Sequence, residues 1–188
     1  MIAELTVGQL NALVKKLGGV KTVKDILSDA VEVEMTVLDH VVNGNADPFV
    51  PDGWKVEEHK KHGDMKITRE GEGLFINGKK IDFYLSEGQQ NGKYIKGDKL
   101  RKELDALPVL NANVLDYLCK HPELIPESWK NDASGNTRYI FFWGTVYRRS
   151  AGDLCVRCLG WVDGAWYWSD LWLGRGWGGD DPSAVLAS

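Results

Sequence analysis

The chain has 188 residues and a formal net charge of −4, with 43% hydrophobic and 27% charged residues. This length can bury a core, and this composition excludes a chain that is disordered throughout. The negative charge makes nucleic acid an unlikely partner, because affinity for nucleic acid comes mainly from neutralising phosphates. The sequence lacks the pattern of a signal peptide and any apolar run of about 18 residues, so we expect a soluble cytoplasmic protein that does not associate with membranes.

The first thirty residues carry the pattern of two short helices. Apolar side chains recur at helical spacing in TVGQLNALVKKLGG, where Thr6 and Gln9 can form a capping box and Gly18 can end the helix. A second helix is predicted after Thr22. Two helices joined by a glycine turn outline a helix-turn-helix, so a DNA-binding protein is one alternative. The balanced charge of this region favours a helical hairpin that packs on a core.

The next two stretches predict a strand and a linker. AVEVEMTVLD alternates apolar and polar residues, which is typical of a half-buried strand. NGNADPFVPDG contains two prolines and several turn signals. We therefore predict an N-terminal unit of helical hairpin and strand at residues 1–43, a linker at 44–53, and an α+β domain at 54–188.

The middle of the chain predicts one β-hairpin and two helices. Asn77-Gly78 lies between alternating apolar positions, the pattern of a two-residue hairpin turn. A helix is predicted through KLRKELDAL with Asp98 as its cap. A second helix through NVLDYLCK is predicted to be capped by Asn111 or Asn113.

Three aromatic-rich segments near the C-terminus predict an antiparallel meander. They read RYIFFWGTVYRR, DLCVRCLGW and AWYWSDLWL. A two-residue turn at Asp163-Gly164 pairs Arg157 with Asp170, and a three-residue loop in RSAGD pairs Arg157 with Thr145. Beyond the meander, the sequence PSAVLA after Asp181 predicts a short terminal helix.

The alternation of side chains along these strands predicts one strongly aromatic face. That face carries Tyr139, Phe141, Trp143, Tyr147, Leu159, Trp161, Trp166, Trp168 and Trp172, with Arg157 and Asp170 in the middle. Ile140 and Phe142 are predicted on the opposite face. Each tryptophan or tyrosine ring can present about 150–250 Å², so the whole face exceeds what a monomer usually exposes. We therefore expect the face to be covered by helices, covered by a second subunit, or used to bind a ligand.

A ligand on this face would stack on its aromatic rings and form hydrogen bonds with its two charged residues. The candidate ligand-binding residues are Trp161, Trp166, Trp168, Trp172, Arg157 and Asp170. Proteins, sugars and aromatic ligands are the candidate partners, and nucleic acid is disfavoured because the segment is not basic. The alternatives are self-association and a second packed layer that contains an Arg157–Asp170 ion pair.

The three cysteines predict neither disulfides nor a metal site. Their odd, small number is typical of a reducing compartment. Cys155 and Cys158 lie three residues apart on a predicted strand, so their side chains point to opposite faces and cannot share one ion. A zinc site would also need Cys119 and His121, which do not form a second matched ligand pair. We predict no metal and no cofactor.

Two further groups of residues carry possible chemistry. Asp116, Cys119 and His121 lie near the end of one predicted helix, and a small hydrolase or transferase at this place is an alternative function. The common hydrolase motifs do not occur in the sequence. His59 and His62 lie among lysines and acidic residues, which predicts an exposed hairpin tip rather than a metal site.

Several motifs resemble those of a family of short uncharacterised bacterial proteins. They are LNANVLDYL, LIPESW, FFWGTVYR and AVLAS. The resemblance covers most of the chain and implies one unit from about Trp54 onward, but it implies no activity. The predicted fold class is α+β: an N-terminal helical hairpin, a middle hairpin with two helices, and a C-terminal three-stranded antiparallel meander. The predicted function is a non-enzymatic binding or protein-interaction module that uses the aromatic face.

Overall fold

The computed structural model of the protein describes residues 7–16, 19 and 40–187. The chain divides into two compact units, residues 1–38 and 39–188, and each is described by itself. In the first unit, helix α1 spans Val7–Lys16, which confirms the first predicted helix. The second predicted helix and the strand AVEVEMTVLD lie outside the described residues.

The second unit consists mainly of β-strands. They are β1 His40–Asn43, β2 Lys55–His59, β3 Asp64–Glu70, β4 Gly73–Ile76, β5 Lys79–Tyr84, β6 Ile95–Lys96, β7 Ile140–Phe141, β8 Thr145–Arg148, β9 Leu154–Val162, β10 Ala165–Trp172, β11 Gly176–Trp177 and β12 Ser183–Leu186. The helices are α2 Gly97–Leu104 and α3 Ala112–Lys120, with single turns of 3₁₀-helix at Glu87–Gln89, Pro122–Leu124 and Glu127–Trp129. Ten strands form one mixed sheet. The predicted α+β fold class is therefore wrong, because the described residues form a β-rich fold.

The order of the strands shows why the α+β prediction fails. The sheet runs β1-β3-β4-β5-β12-β7-β9-β8-β2, and β10 lies on the other edge of β9. The middle hairpin and the C-terminal meander, predicted as separate parts, are therefore joined through β12 and β7. Among the described residues, β1, β2 and β10 each pair with a single neighbour and are edge strands. Strands β6 and β11 form a separate two-stranded ladder.

Local sequence signals correctly predict one hairpin turn and one of the two helix caps in this unit. The hairpin between β4 and β5 has left-handed Asn77 and Gly78, with φ of 50° and 77°. Helix α3 is capped by Asn111, whose side chain accepts from the backbone N–H of Asn113 at 3.2 Å. Asp98 lies in the first turn of α2 instead of at its cap.

Both turns predicted for the meander are confirmed. Asp163 and Gly164 have φ of 50° and 82°, and Gly152 has φ of 93°. These turns set the register that the sequence predicts between β9 and β10, where Arg157 lies opposite Asp170. The strands β8, β9 and β10 are therefore antiparallel neighbours, as the loop lengths indicate.

The first predicted strand of the meander is broken into β7 and β8. The pairing of β8 with β9 keeps the predicted register. The pairing of β7 is displaced by three residues, so that Phe141 lies opposite Cys158 instead of Trp161. A displacement by an odd number of residues turns a strand over. The predicted faces of β7 are therefore wrong: Ile140 and Phe142 lie on the same face as Leu159.

The break between β7 and β8 occurs at Gly144, which lies against the chain before α3. The N–H of Gly144 donates to the carbonyl of Leu110 at 2.8 Å, and the carbonyl of Gly144 accepts from the N–H of Lys60 at 2.7 Å. A Cβ at Gly144 would lie 2.8 Å from the backbone nitrogen of Asn111, so a larger residue does not fit. The neighbouring Trp143 thereby packs on the opposite face from the one predicted.

The predicted terminal helix is also wrong. Residues 183–186 form β12, which pairs antiparallel with β5 and parallel with β7. Ser183 and Ala184 are completely buried, so pairing in the middle of the sheet outweighs the local helix signal. Asp181 does not cap a terminal helix; its Oδ2 accepts from the backbone N–H of Gly178 at 3.0 Å.

Hydrophobic residues pack on both faces of the sheet. On one face, the first cluster contains Val114, Leu115 and Leu118 of α3, which pack against Ile140, Phe142 and Leu159 among others. On the other face, the second cluster contains Leu100 and Leu104 of α2 with Phe141, Trp143, Val156, Cys158 and Trp177. Helix α3 therefore covers part of the face that carries the odd-numbered residues of β9. No helix among the described residues is long and apolar enough to cross a membrane.

Two crossing segments connect the ends of the sheet. Residues 44–54 run from β1 to β2, and residues 60–63 run back from β2 to β3. The two segments are bonded to each other, since the N–H of Gly44 donates to the carbonyl of Gly63 at 2.7 Å. The side-chain amide of Asn111 donates to the carbonyls of Gly44 and Lys60, one in each segment. The domain division predicted at residues 44–53 stays a prediction.

Candidate binding surface

Arg157 of β9 lies in the middle of the predicted aromatic face, and its side chain is 1% exposed. Its Nη2 donates to Oδ1 of Asp116, on α3, at 2.7 Å. Burial alone would lower the pKa of Arg157, but the hydrogen bond and the negative charge of Asp116 outweigh it and raise the pKa. Arg157 is therefore a permanently charged group inside the protein, with its counter-ion on the helix that covers the sheet.

Three aromatic rings from separate segments surround the guanidinium of Arg157. Its Cζ lies 4.3 Å from the ring centre of Trp168, 5.2 Å from that of Phe49 and 6.0 Å from that of Tyr147. The hydroxyl of Tyr147 donates to the backbone carbonyl of Phe49 at 3.0 Å, and burial raises the pKa of Tyr147 to about 12. These contacts hold Phe49, which the sequence places in a linker, against the sheet.

Asp170 does not form the predicted ion pair with Arg157, although the two residues lie opposite each other. The carboxylate of Asp170 pairs with the guanidinium of Arg149, which lies at the end of β8. Arg149 therefore neutralises Asp170 from within the sheet, while Asp116 of α3 neutralises Arg157. An approaching molecule meets no unpaired charge from Arg157 or Asp170.

The four candidate tryptophans divide into two half-buried and two exposed residues. The rings of Trp161 and Trp166 lie 5.3 Å apart at 65°, and Nζ of Lys130 lies 3.7 Å from the ring centre of Trp161. Trp166 also packs on the cluster beneath α3. In contrast, Trp168 is 39% exposed and Trp172 is 45% exposed. The predicted face is therefore partly covered and partly open.

The open part of this face, together with Phe49, forms a surface of aromatic rings. Phe49 is 53% exposed, and its ring centre lies 6.1 Å from that of Trp168 at an angle of 67°. We name Phe49, Trp168 and Trp172 the aromatic surface. Rings exposed to this extent leave roughly 200–400 Å² of apolar area in water, which is comparable with the largest apolar patch of a typical monomer, and such patches are often functional.

An open cavity of about 270 Å³ lies beside Phe49 and continues this surface. Asp116, Tyr117 and the exposed Val41 also line it. The carboxylate of Asp116 is already bonded to Arg157, and the side-chain amide of Asn113 donates to backbone carbonyls at 2.8 and 3.0 Å. Asp116 and Asn113 thus have partners inside the protein, and Asp47 and Lys120 add one charge of each sign to the lining.

Asp116, Cys119 and His121 do not form one hydrogen-bonded set, although they lie on or beside α3. Asp116 binds Arg157, while Nδ1 of His121 lies 3.2 Å from a carboxylate oxygen of Glu123. Burial raises the pKa of Cys119 to about 11, so its side chain is a protonated thiol at neutral pH. A protonated thiol is a poor nucleophile.

The cysteines occupy separate environments. Cys158 lies in the cluster beneath α2, while Cys155 lies on the other face beside Tyr147, as the alternation of the strand predicts. Burial raises the pKa of Cys158 to about 12. All three cysteines are free thiols. Within the described part of the chain, no group of three or more histidine, cysteine or acidic residues is arranged to hold a metal ion.

His59 and His62 are half-buried, so the predicted exposed hairpin tip is wrong. The segment between β2 and β3 is not a hairpin, because these two strands pair with different neighbours. Nδ1 of His59 lies 2.8 Å from the hydroxyl of Thr145, and that hydroxyl accepts from the N–H of Ala112 at 3.0 Å. His59 thereby belongs to the contacts that hold the first turn of α3 on the sheet.

Acidification is expected to destabilise the protein through these two histidines. Burial lowers the pKa of both His59 and His62 from the ordinary value of 6.5. As the pH falls below about 6.5, the unfolded chain therefore binds protons before the folded chain does, and the free energy of unfolding decreases. Above that pH both histidines are neutral in the folded and the unfolded chain, so their contribution to the free energy of unfolding does not change.

Urea unfolding at about pH 7.5 and about pH 5.5 measures this dependence. The decrease in unfolding free energy between the two conditions should become smaller in the variants His59→Gln and His62→Gln, and smallest in the double variant. An equal decrease in the wild-type protein and the double variant would assign the pH dependence to other groups.

No protein-family model, curated protein or solved structure matches this chain. The resemblance to short bacterial proteins therefore stays a prediction, and no functional residue is transferred from a relative. Function depends on the chemistry of the site and not on the fold alone.

Proposed function

We propose that the protein is a non-enzymatic protein-interaction module that binds an apolar segment of a partner at the aromatic surface. The observation that carries the proposal is that Phe49, Trp168 and Trp172 are exposed, while the charged residues of the same face are already paired inside the protein. The central parts of protein interfaces are rich in aromatic side chains and poor in charged ones, which is the composition of this surface.

The geometry of the rings supports a protein partner over the other candidate ligands. Phe49 and Trp168 meet at 67°, so they do not form a flat platform on which sugar rings or bases could stack side by side. Arg149 and Arg157 both pair with carboxylates, so neither guanidinium is free to neutralise phosphates. A partner with apolar side chains needs neither a flat platform nor free charge.

The free thiols support the cytoplasm as the place where the protein acts. Cys119, Cys155 and Cys158 form no disulfide. Proteins with unpaired cysteines are typical of reducing compartments.

A random dodecapeptide library displayed on phage tests the proposed function. The library is selected on the full-length protein, with counter-selection on the variant Phe49→Ala/Trp172→Ala. We expect enriched peptides that bind the wild-type protein and lose about tenfold or more in affinity on the variant, since interface aromatic residues often contribute this much. The control is Tyr94→Ala, because Tyr94 is also aromatic and 73% exposed but lies outside the aromatic surface.

Two results would contradict the proposal. One is a selection in which no peptide distinguishes the wild-type protein from the counter-selection variant. The other is an equal loss of binding in Tyr94→Ala, which would show that peptides recognise exposed rings in general. Circular dichroism of each variant confirms that the fold is retained.

A further inference from the structure

Strand β10 is a long and regular edge of the sheet. It has eight residues and pairs with β9 alone. The pairing continues without a register shift from Ala165 opposite Val162 to Trp172 opposite Cys155. The strand therefore presents an uninterrupted backbone along its outer side.

The outer side of β10 carries backbone groups without partners. The N–H of Leu173 donates to the carbonyl of Leu154, so the odd-numbered residues of this strand turn their backbone groups towards β9. The N–H and C=O groups of Trp166, Trp168 and Asp170 then point away from the sheet. No described residue forms a hydrogen bond with these groups.

The edge strand β2 shows how the same sheet protects a different edge. A register shift between Val56 and Glu58 interrupts its pairing, and it carries the exposed charged residues Lys55 and Glu57. Bulges and exposed charges are the usual devices that prevent another strand from adding to an edge. Strand β10 has no register shift, lysine or proline, and Asp170, its one charged residue, is paired with Arg149.

We infer that β10 accepts an extended segment of a partner protein as an additional strand of the sheet. This inference rests on the proposed function and describes how the same surface binds. Strand addition obtains affinity from main-chain hydrogen bonds and specificity from side-chain contacts at alternate positions. Trp168 and Trp172 project from β10 on the same face, four residues apart, so they would contact side chains on one face of the added strand.

The size and charge of the site define the partner segment. A stable dimer buries about 800 Å² on each subunit, which is well above the roughly 200–400 Å² that the aromatic surface exposes. The site therefore fits a short extended peptide better than a second copy of this chain. Because Asp170 and Arg157 are neutralised inside the protein, the side chains that face Trp168 and Trp172 should be uncharged and apolar.

Amide hydrogen exchange by NMR tests the added strand on the full-length protein. The probe is the peptide most enriched in the library selection described above. In the free protein, the amides of Trp166, Trp168 and Asp170 should exchange rapidly, whereas those of Tyr167 and Ser169 are protected by β9. Saturation with the peptide should slow exchange at the first three by about tenfold or more. The amides of the exposed edge β2 are the control and should not change.

An N-methyl scan of the same peptide gives a second readout that side-chain binding would not produce. In an added strand only every second peptide N–H bonds to β10, so N-methylation should lower the affinity by about tenfold at alternate positions and less between them. A scan without this alternation, or unchanged exchange at Trp166, Trp168 and Asp170, would overturn the inference while leaving the proposed function intact. A selection without any peptide would overturn both.

Sedimentation of the protein over a range of concentrations tests whether a second copy of the chain occupies the edge of β10. We expect a monomer throughout. A dimer whose dissociation releases the amides of Trp166, Trp168 and Asp170 would show that a second copy, instead of a partner segment, occupies the edge.

Discussion

Replacing Asp116 with alanine should lower the free energy of unfolding by about 3–5 kcal/mol, the usual result of removing one partner of a buried ion pair. The variant leaves the guanidinium of Arg157 charged, buried and without a counter-ion. The side chain of Asp116 is 20% exposed, so solvent screens the pair only partly. Urea unfolding followed by circular dichroism measures the loss.

Two further variants show whether the loss of stability comes from the burial of the ion pair or only from the removal of a carboxylate. Asp82 pairs with Lys80 at 3.5 Å on the surface, so Asp82→Ala should cost less than about 1 kcal/mol. The double variant Asp116→Leu/Arg157→Met should recover much of the loss, because apolar residues often replace a buried ion pair without great cost. A loss of similar size in Asp116→Ala and Asp82→Ala would mean that water reaches Arg157.

Replacing Trp177 with alanine is the second change with a large expected effect, about 3–5 kcal/mol. Trp177 is completely buried in the cluster beneath α2. Its ring centre lies 4.5 Å from that of Phe141 and 4.7 Å from that of Trp143. The variant would leave a cavity beside the rings of Phe141 and Trp143. Because both rings are packed in the same cluster, the surrounding side chains could fill little of this cavity.

The matched control for Trp177→Ala is Trp172→Ala, which removes the same side chain from the aromatic surface. Trp172 is 45% exposed, and we expect its removal to cost about 1 kcal/mol or less. Thermal or urea unfolding of both variants under one set of conditions gives the comparison. Equal losses would contradict the division of the tryptophans into residues that support the fold and residues that are open for binding.

The part of the fold that the sequence predicts correctly depends on short-range turn chemistry. Left-handed residues are required at Asn77, Gly78, Asp163, Gly164 and Gly152, and the residue types indicate this directly. A two-residue turn determines which residues of the two strands face each other. For this reason the pairing of β9 with β10 could be predicted residue by residue.

The parts that the sequence does not predict depend on contacts between distant segments. The displacement of β7 follows from the contact of Gly144 with Leu110, and the loop after β8 gives no sign of it. Likewise, PSAVLA has local helix signals, but burial between β5 and β7 makes it a strand. The α+β prediction failed because these two contacts join the predicted hairpin and meander into one sheet.

The candidate site could be predicted in part. The sequence places Trp168 and Trp172 on one face of β10, and both are exposed there. It does not reveal that Arg157 pairs with Asp116 of α3, because no local pattern links a strand residue to a distant helix. Phe49 was missed for the same reason: an aromatic residue between two prolines in ADPFVP is the only signal that this segment packs against the sheet.

The crossing segments at residues 44–54 and 60–63 make the two ends of the sheet energetically dependent on each other. Strands β1 and β2 stand first and last in the strand order, and an outermost strand is usually the part of a sheet that frays independently. Here each crossing segment is bonded to the other, and both are bonded to Asn111 at the start of α3. Local opening at either end would therefore break contacts at the other end and at the helix, so the second unit should lose its structure in a single cooperative step.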